Sequence, residues 1–152
     1  MTTIVLAVGK LRPVFREACD QYVARLRRYG EVGEIEIREA PAGQSPVEQR
    51  RTEGRRMLER LPDRALVVAL DRAGTAWSSE ALAQAVNRWR ETAKPVALLI
   101  GGSTGLDEAV LARADHRWSL GPLTLPHELA RVVVMEQWYR AHTILRGEKY
   151  HK

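Results

Sequence analysis

The chain has 152 residues, 45% of them hydrophobic, enough to close one core and too few for two ordinary domains, so a single domain over 1–152 is expected. A formal net charge of +5 favours an acidic partner such as nucleic acid without demanding one, and a single cysteine excludes a disulfide framework and a cysteine-rich zinc site. No run approaches the roughly 18 consecutive apolar residues of a membrane span, and "MTTIVLAVGKLR" lacks a positive leader region and a small-residue cleavage site, so the expectation is a cytoplasmic protein without a membrane partner.

Residues 3–8, "TIVLAV", form a β-branched, apolar run ending at Gly9 and predict a buried first strand. Pro13 suits the first position of a helix whose Phe15, Ala18, Tyr22 and Leu26 recur at helical spacing, with Cys19 on its apolar face as a core residue. "EIEIREA", 34–40, alternates as a second strand. After the turn-rich "PAGQSP", a charged helix shows Val47, Gly54, Leu58 and Leu61 on one face, and Gly54 weakens it by about 1 kcal/mol relative to alanine.

"ALVVALD", 65–71, and "PVALLIG", 95–101, hardly alternate, as expected of strands covered on both faces. Between them Leu82, Ala85, Val86 and Trp89 mark a helix that Ser78 or Ser79 caps. A short helix follows "GGSTG", "HRWSL" reads as a fifth strand, and the last helix runs from about Pro126 to Arg146. Strand and helix alternating five times predict an α/β domain, with a mostly parallel sheet and helices on both faces. In such sheets ligands bind beyond the carboxyl ends of the strands, where "LDRAG", "GGSTG" and "LGPLTLPH" leave strands three, four and five.

Each loop admits two readings. In "IGGSTG", Gly101, Gly102 and Gly105 permit positive φ and close approach of a ligand, or simply make a tight turn; the pattern is neither the G-x-G-x-x-G dinucleotide fingerprint nor a phosphate-binding P-loop. Asp71 can accept from a ribose hydroxyl or cap a turn. Leu120, Leu123 and Leu125 with Pro122 can wall a flat apolar group such as a purine, or bury a connection between strand and helix. On the last helix His127, Arg131, Glu136, Arg140 and His142 are either functional or solvated, and Arg131 and Arg140 need not share a face. His116, His127, His142 and His151 show no i, i+4 pair, so no metal site is expected, and no G-x-S-x-G supports a hydrolase.

"LLIGGSTGL", "SLGPLTLPHELARVVVMEQWYRA" and the terminal "RGEKYHK", with "LAVGK" near the start and "LD..G" at 70–74, resemble in order and spacing the bacterial ribosomal RNA large subunit methyltransferase H (RlmH) family. T-L-P-H-x-L-x-R with a terminal Y-H-K is the specific part of the resemblance, which extends over essentially the whole chain.

The resemblance implies the SPOUT class of S-adenosyl-L-methionine-dependent methyltransferases, with a C-terminal trefoil knot forming the cofactor pocket. Leu70, Gly101, Gly102, Gly105 and the loop Leu120, Gly121, Pro122, Leu123, Thr124 and Leu125 are then the expected cofactor contacts. It further implies methylation of N3 of a pseudouridine in 23S ribosomal RNA of the assembled ribosome, by a homodimer needing no metal. His151 or Glu136 is then the candidate base, Arg140 the group facing developing negative charge, and Tyr150 a stacking or hydrogen-bonding side chain. Lys10, Arg12, Arg16 and the arginines of the second helix are candidate phosphate contacts. The alternatives are a SPOUT enzyme acting on transfer RNA and a non-catalytic ribosome-binding protein.

Overall fold

The computed structural model describes all 152 residues. The chain alternates as expected: β1 (Thr3–Val8), α1 (Pro13–Leu26), β2 (Val32–Ile37), α2 (Pro46–Glu59), β3 (Leu66–Thr75), α3 (Ser79–Glu91), β4 (Val96–Ile100), α4 (Glu108–Arg113), β5 (His116–Trp118) and α5 (His127–Leu145). The five strands form one parallel sheet in the order β2-β1-β4-β3-β5. Parallel pairing requires crossovers, and the helices supply them while covering both faces.

Side-chain alternation along the strands divides the core in two. Val5, Ala7, Val68, Leu98 and Ile100 meet the larger cluster with Cys19, Trp89 and Trp138 of α1, α3 and α5; Leu6, Val8, Val67 and Leu99 meet the smaller one with Met57 of α2 and Val110 of α4. No helix is long and apolar enough to cross a membrane. Cys19 is fully buried and desolvation pushes its thiol up to about 11, as befits a core residue.

Three elements differ from expectation. β2 starts at Val32 and ends at Ile37, because its register against β1, from Thr3 opposite Val32 to Val8 opposite Ile37, sets its length. On α2 it is Met57 that is fully buried, whereas Val47 is exposed near the capping box of Ser45 and Glu48. Gly54 has a packing reason: an added Cβ would stand 2.9 Å from Asp107 Cβ and 3.1 Å from Val110 Cγ2, so glycine lets α2 approach α4. β3 continues to Thr75, and both Leu70 and Thr75 face Trp118, so the intervening residues bulge out. At Gly74 a Cβ would lie 2.6 Å from the Arg117 carbonyl carbon, which explains that glycine.

α5 decides where a site can form. After edge strand β5 the chain returns across the sheet, and α5 packs against α1 and α3, with Trp138 Nε1 donating to Thr3 Oγ1 of β1 at 3.1 Å. Arg131 is buried and fastens the helix to β2, donating to Glu34 at 2.7 Å and Glu36 at 3.4 Å. Its charge is used within the fold, while Arg140, nine residues on, lies on a different part of the helix surface.

Candidate functional site

The three loops at the carboxyl ends of β3, β4 and β5 enclose one cavity of about 350 Å³. Leu70, Gly101, Gly102, Gly105, Leu120, Gly121, Leu123, Thr124 and Leu125, all singled out from the sequence, line it; Pro122 does not. Ser103 and Thr104 complete the glycine turn, and Ile100, Trp118, Asp71, Arg72, His127 and Ala130 also contribute to the wall. Sequence reasoning named Asp71 and His127 only as ambiguous charges and missed Thr104, although it sits inside the quoted turn.

The glycine loop is a tight turn and a cavity wall at once. Gly105 N donates to Gly102 O at 3.1 Å, Gly105 has φ +87°, and a Cβ on Gly101 would lie 2.6 Å from the Gly105 carbonyl carbon. Only glycine fits at 101 without moving the turn. Arg50 of α2 donates to Thr104 O at 3.3 Å, whereas the Thr104 hydroxyl oxygen is buried without a partner. Behind Gly102 stands Glu53, a buried carboxyl that burial pushes above its ordinary range, with Oε2 accepting from Ala40 N at 3.2 Å.

Opposite the turn, Ser119 and Gly121 brace the leucine loop: Gly121 N donates to Ser119 Oγ at 3.1 Å, and Gly121 has φ +107°. Leu123 is 75% exposed, while Leu120 and Leu125 are half-buried. Asp71 accepts from Ala73 N at 3.4 Å and lies 3.7 Å from Arg117, which is the turn-capping geometry at the cavity rim.

The other four candidates meet elsewhere. Glu136 Oε1 accepts from Arg140 Nη2 at 2.7 Å, from Arg140 Nε at 3.1 Å and from the Tyr150 hydroxyl at 3.0 Å; Gln137 Nε2 donates to Oε2 at 2.7 Å. Arg140 Nη1 lies 3.2 Å from His151 Nδ1, and the guanidinium stands 4.7 Å from the Tyr150 ring centroid. Burial, then the bond to Glu136, push the Tyr150 hydroxyl pKa up. The bond to Glu136 likewise keeps Arg140 charged. The cluster does not touch the cavity: Glu136 and Arg140 stand roughly 13 and 20 Å of helix rise beyond His127. No group of three or more His, Cys, Asp or Glu side chains is arranged to hold a metal ion.

The family whose model matches residues 1–151 is described as "Predicted SPOUT methyltransferase". This chain belongs to the SPOUT methyltransferases. Within them it is 50% identical over 153 residues to ribosomal RNA large subunit methyltransferase H of Rubrobacter xylanophilus, covering 97% of this chain and 96% of the relative. The enzyme of the same name from Anaeromyxobacter sp. (strain Fw109-5) is 46% identical over 149 residues, 97% of each chain. Among solved structures, a probable methylase family protein of Haemophilus influenzae Rd KW20 superposes with TM-score 0.56 at 12% identity, over 97% of this chain and 67% of that one. A Legionella pneumophila protein described as a methyltransferase, solved with the bound cofactor SAM, gives 0.51 at 13% identity over 93% and 66%. At these identities the two likenesses bear on the fold alone, an α/β arrangement shared with solved methyltransferase structures.

Proposed function

We propose that this protein transfers a methyl group from S-adenosyl-L-methionine to N3 of a pseudouridine in 23S ribosomal RNA, with the assembled ribosome as substrate. The observation that carries the reading is the cavity, a glycine turn facing a leucine loop at the carboxyl ends of three parallel strands in a chain of this family. Its leucines suit the faces of an adenine, and the unpartnered Thr104 hydroxyl offers a hydrogen bond to a polar ligand. The Legionella structure, which holds SAM in the same fold, and the names of the near relatives point the same way.

When bound, the cofactor supplies a methyl group already activated by its sulfonium, so the displacement needs alignment and removal of the N3 proton, not a metal. The cavity holds and orients the donor and keeps water from its faces. In this reading Arg140, kept charged and fixed by Glu136, stabilises negative charge developing on the pyrimidine, with Tyr150 beside it to stack or donate a hydrogen bond. Of the two candidate proton acceptors, Glu136 receives donors on both oxygens and His151 Nδ1 faces Arg140, so either gives up a hydrogen bond when it takes the N3 proton. Arg50 and Arg72 at the cavity, with Lys10 and Arg12, are candidate phosphate contacts.

The distance along α5 gives the homodimer a role. A second subunit can bring its own Arg140 and tail to the cavity that the first subunit's cluster does not touch. Purified protein with methyl-labelled SAM, offered separately to ribosomes lacking the modification, naked ribosomal RNA and bulk transfer RNA, tests the reading. Label at the pseudouridine of assembled ribosomes alone is the expected result. Label on transfer RNA replaces the substrate, and cofactor binding without transfer to any RNA leaves a ribosome-binding protein.

A further inference from the structure

Arg140 is a pure donor: a guanidinium carries five N–H groups and no acceptor. Its Nη1, 3.2 Å from His151 Nδ1, therefore meets a nitrogen that bears a lone pair and no hydrogen. On the other side of the ring, Nε2 lies 2.7 Å from Glu80 Oε1, and a carboxylate only accepts. The two contacts demand the same form, a neutral imidazole with its hydrogen on Nε2. The other tautomer would aim Nδ1–H at a guanidinium N–H and an Nε2 lone pair at a carboxylate, so both contacts would turn repulsive.

Glu80 belongs to the first turn of α3, which Ser78 caps by accepting from Ala81 N, so the carboxylate is carried on a fixed element. The same turn braces the cluster a second time. Ser79 Oγ donates to Gln137 Oε1 at 2.6 Å, and Gln137 Nε2 donates to Glu136 Oε2 at 2.7 Å. Both partners of Arg140, Glu136 on its own helix and His151 on the tail, thus rest on adjacent residues of α3. Glu80 is itself exposed, and the bond from His151 holds its carboxyl below the usual range. Such a contact adds little to stability, so its consequence is orientation.

We propose that Glu80 is a positioning residue: it holds His151 as the Nε2–H tautomer, leaving the Nδ1 lone pair to fix the Arg140 guanidinium beside Glu136. This rests on the reading that Arg140 acts on the RNA substrate during methyl transfer.

The test joins a spectroscopic readout to a kinetic one. Full-length protein labelled with ¹⁵N-histidine reports each ring's tautomer at neutral pH through its two-bond nitrogen–proton correlations, and His151→Gln assigns the signal. Wild type is expected to show the Nε2–H form. Glu80→Gln keeps it, because an amide oxygen still accepts, whereas Glu80→Ala removes the shorter, 2.7 Å contact and leaves the ring free to turn away from the 3.2 Å contact with Arg140, giving a mixture of tautomers. In single turnover with labelled SAM and unmodified ribosomes, Glu80→Ala is expected to slow transfer about tenfold at unchanged SAM affinity, and Glu80→Gln to stay within about threefold of wild type. A Glu80→Ala protein that keeps the Nε2–H tautomer overturns the proposal, and so does one that loses it and transfers at the wild-type rate. If wild type methylates no RNA, the functional reading falls by itself, and the tautomers of wild type and Glu80→Ala still decide whether Glu80 sets His151.

Discussion

The two ends of α5 are built by opposite means. At its amino end the cavity is framed by a turn in which Gly101 leaves no room for a Cβ, facing leucines on a loop, with Asp71, Arg72 and His127 also in its wall. At its carboxyl end a cluster of charged and aromatic side chains satisfies its own hydrogen bonds, with Glu136 receiving donors on both oxygens. One region is an open cavity at the strand ends. The other gathers acidic, basic and aromatic side chains that bond to one another, and none of Glu136, Arg140, Tyr150 or His151 lines that cavity.

The largest effect expected is at the turn. Gly101→Ala puts a methyl group 2.6 Å from the Gly105 carbonyl carbon and 2.7 Å from its oxygen, backbone atoms that cannot step aside without opening the turn. Calorimetry is expected to show SAM affinity falling a hundredfold or more in a protein that still folds, roughly 3 kcal/mol by the tenfold-per-1.4 rule. Affinity within threefold of wild type would remove the cavity from consideration. Next comes the relation between the regions. Mixing inactive Gly101→Ala and Arg140→Ala chains should restore activity, up to about a quarter of the wild-type level if half the dimers are mixed and each has one intact composite site. No recovery from stable mixed dimers would mean that cavity and cluster serve one chain.

How far the two regions were legible in the sequence follows from the same contrast. The cavity was readable because its parts are contiguous: glycines between an apolar strand and a helix, leucines in a loop beside a proline. Strand periodicity then placed three such loops at one edge of the sheet. The bulge of residues 71–74 was not readable, since it is fixed by pairing Leu70 and Thr75 to the same Trp118 across the sheet. Met57 was passed over because charged neighbours disguise the buried face of α2, and Gly54 looked like a defect until α4 stood against it. The resemblance drew attention to Glu136, Arg140, Tyr150 and His151, but their contact needs the tail folded back on α5. Glu80, 71 positions before His151, carries no local signal of its partner.

The bed beneath the cluster offers a pH test of intermediate size. His142 is buried, stacked on Tyr29 at 5.1 Å and edge-on to Trp138 at 5.9 Å. Burial first, then the positive charges of Arg90, the amino terminus and Arg146, pull its pKa down to about 4. An unfolded histidine binds its proton near pH 6.5, so the stabilisation from this neutral ring is complete above that pH and is lost as pH falls towards 4. The full loss is about 3 kcal/mol. Urea unfolding of wild type and His142→Phe at pH 7.5, 5.5 and 4.5 isolates it, because every other titrating group is shared; parallel losses in the two proteins would assign the acid sensitivity elsewhere.

The smallest effect is the most selective for the cavity. Leu123 is 75% exposed, so truncating it removes little from the folded core, and Leu123→Ala should leave stability within about 0.5 kcal/mol of wild type. Yet it lines the cavity opposite the glycine turn, where a bound ring would cover it. Covering part of a leucine is worth about 1 kcal/mol, which predicts SAM binding weakened about fivefold. A core residue would show the reverse, lost stability at constant affinity. Unchanged stability with unchanged SAM affinity would turn Leu123 outward, towards a second subunit or the RNA, and a fall in transfer to ribosomes without a fall in cofactor binding would then show which side of the loop the cofactor uses.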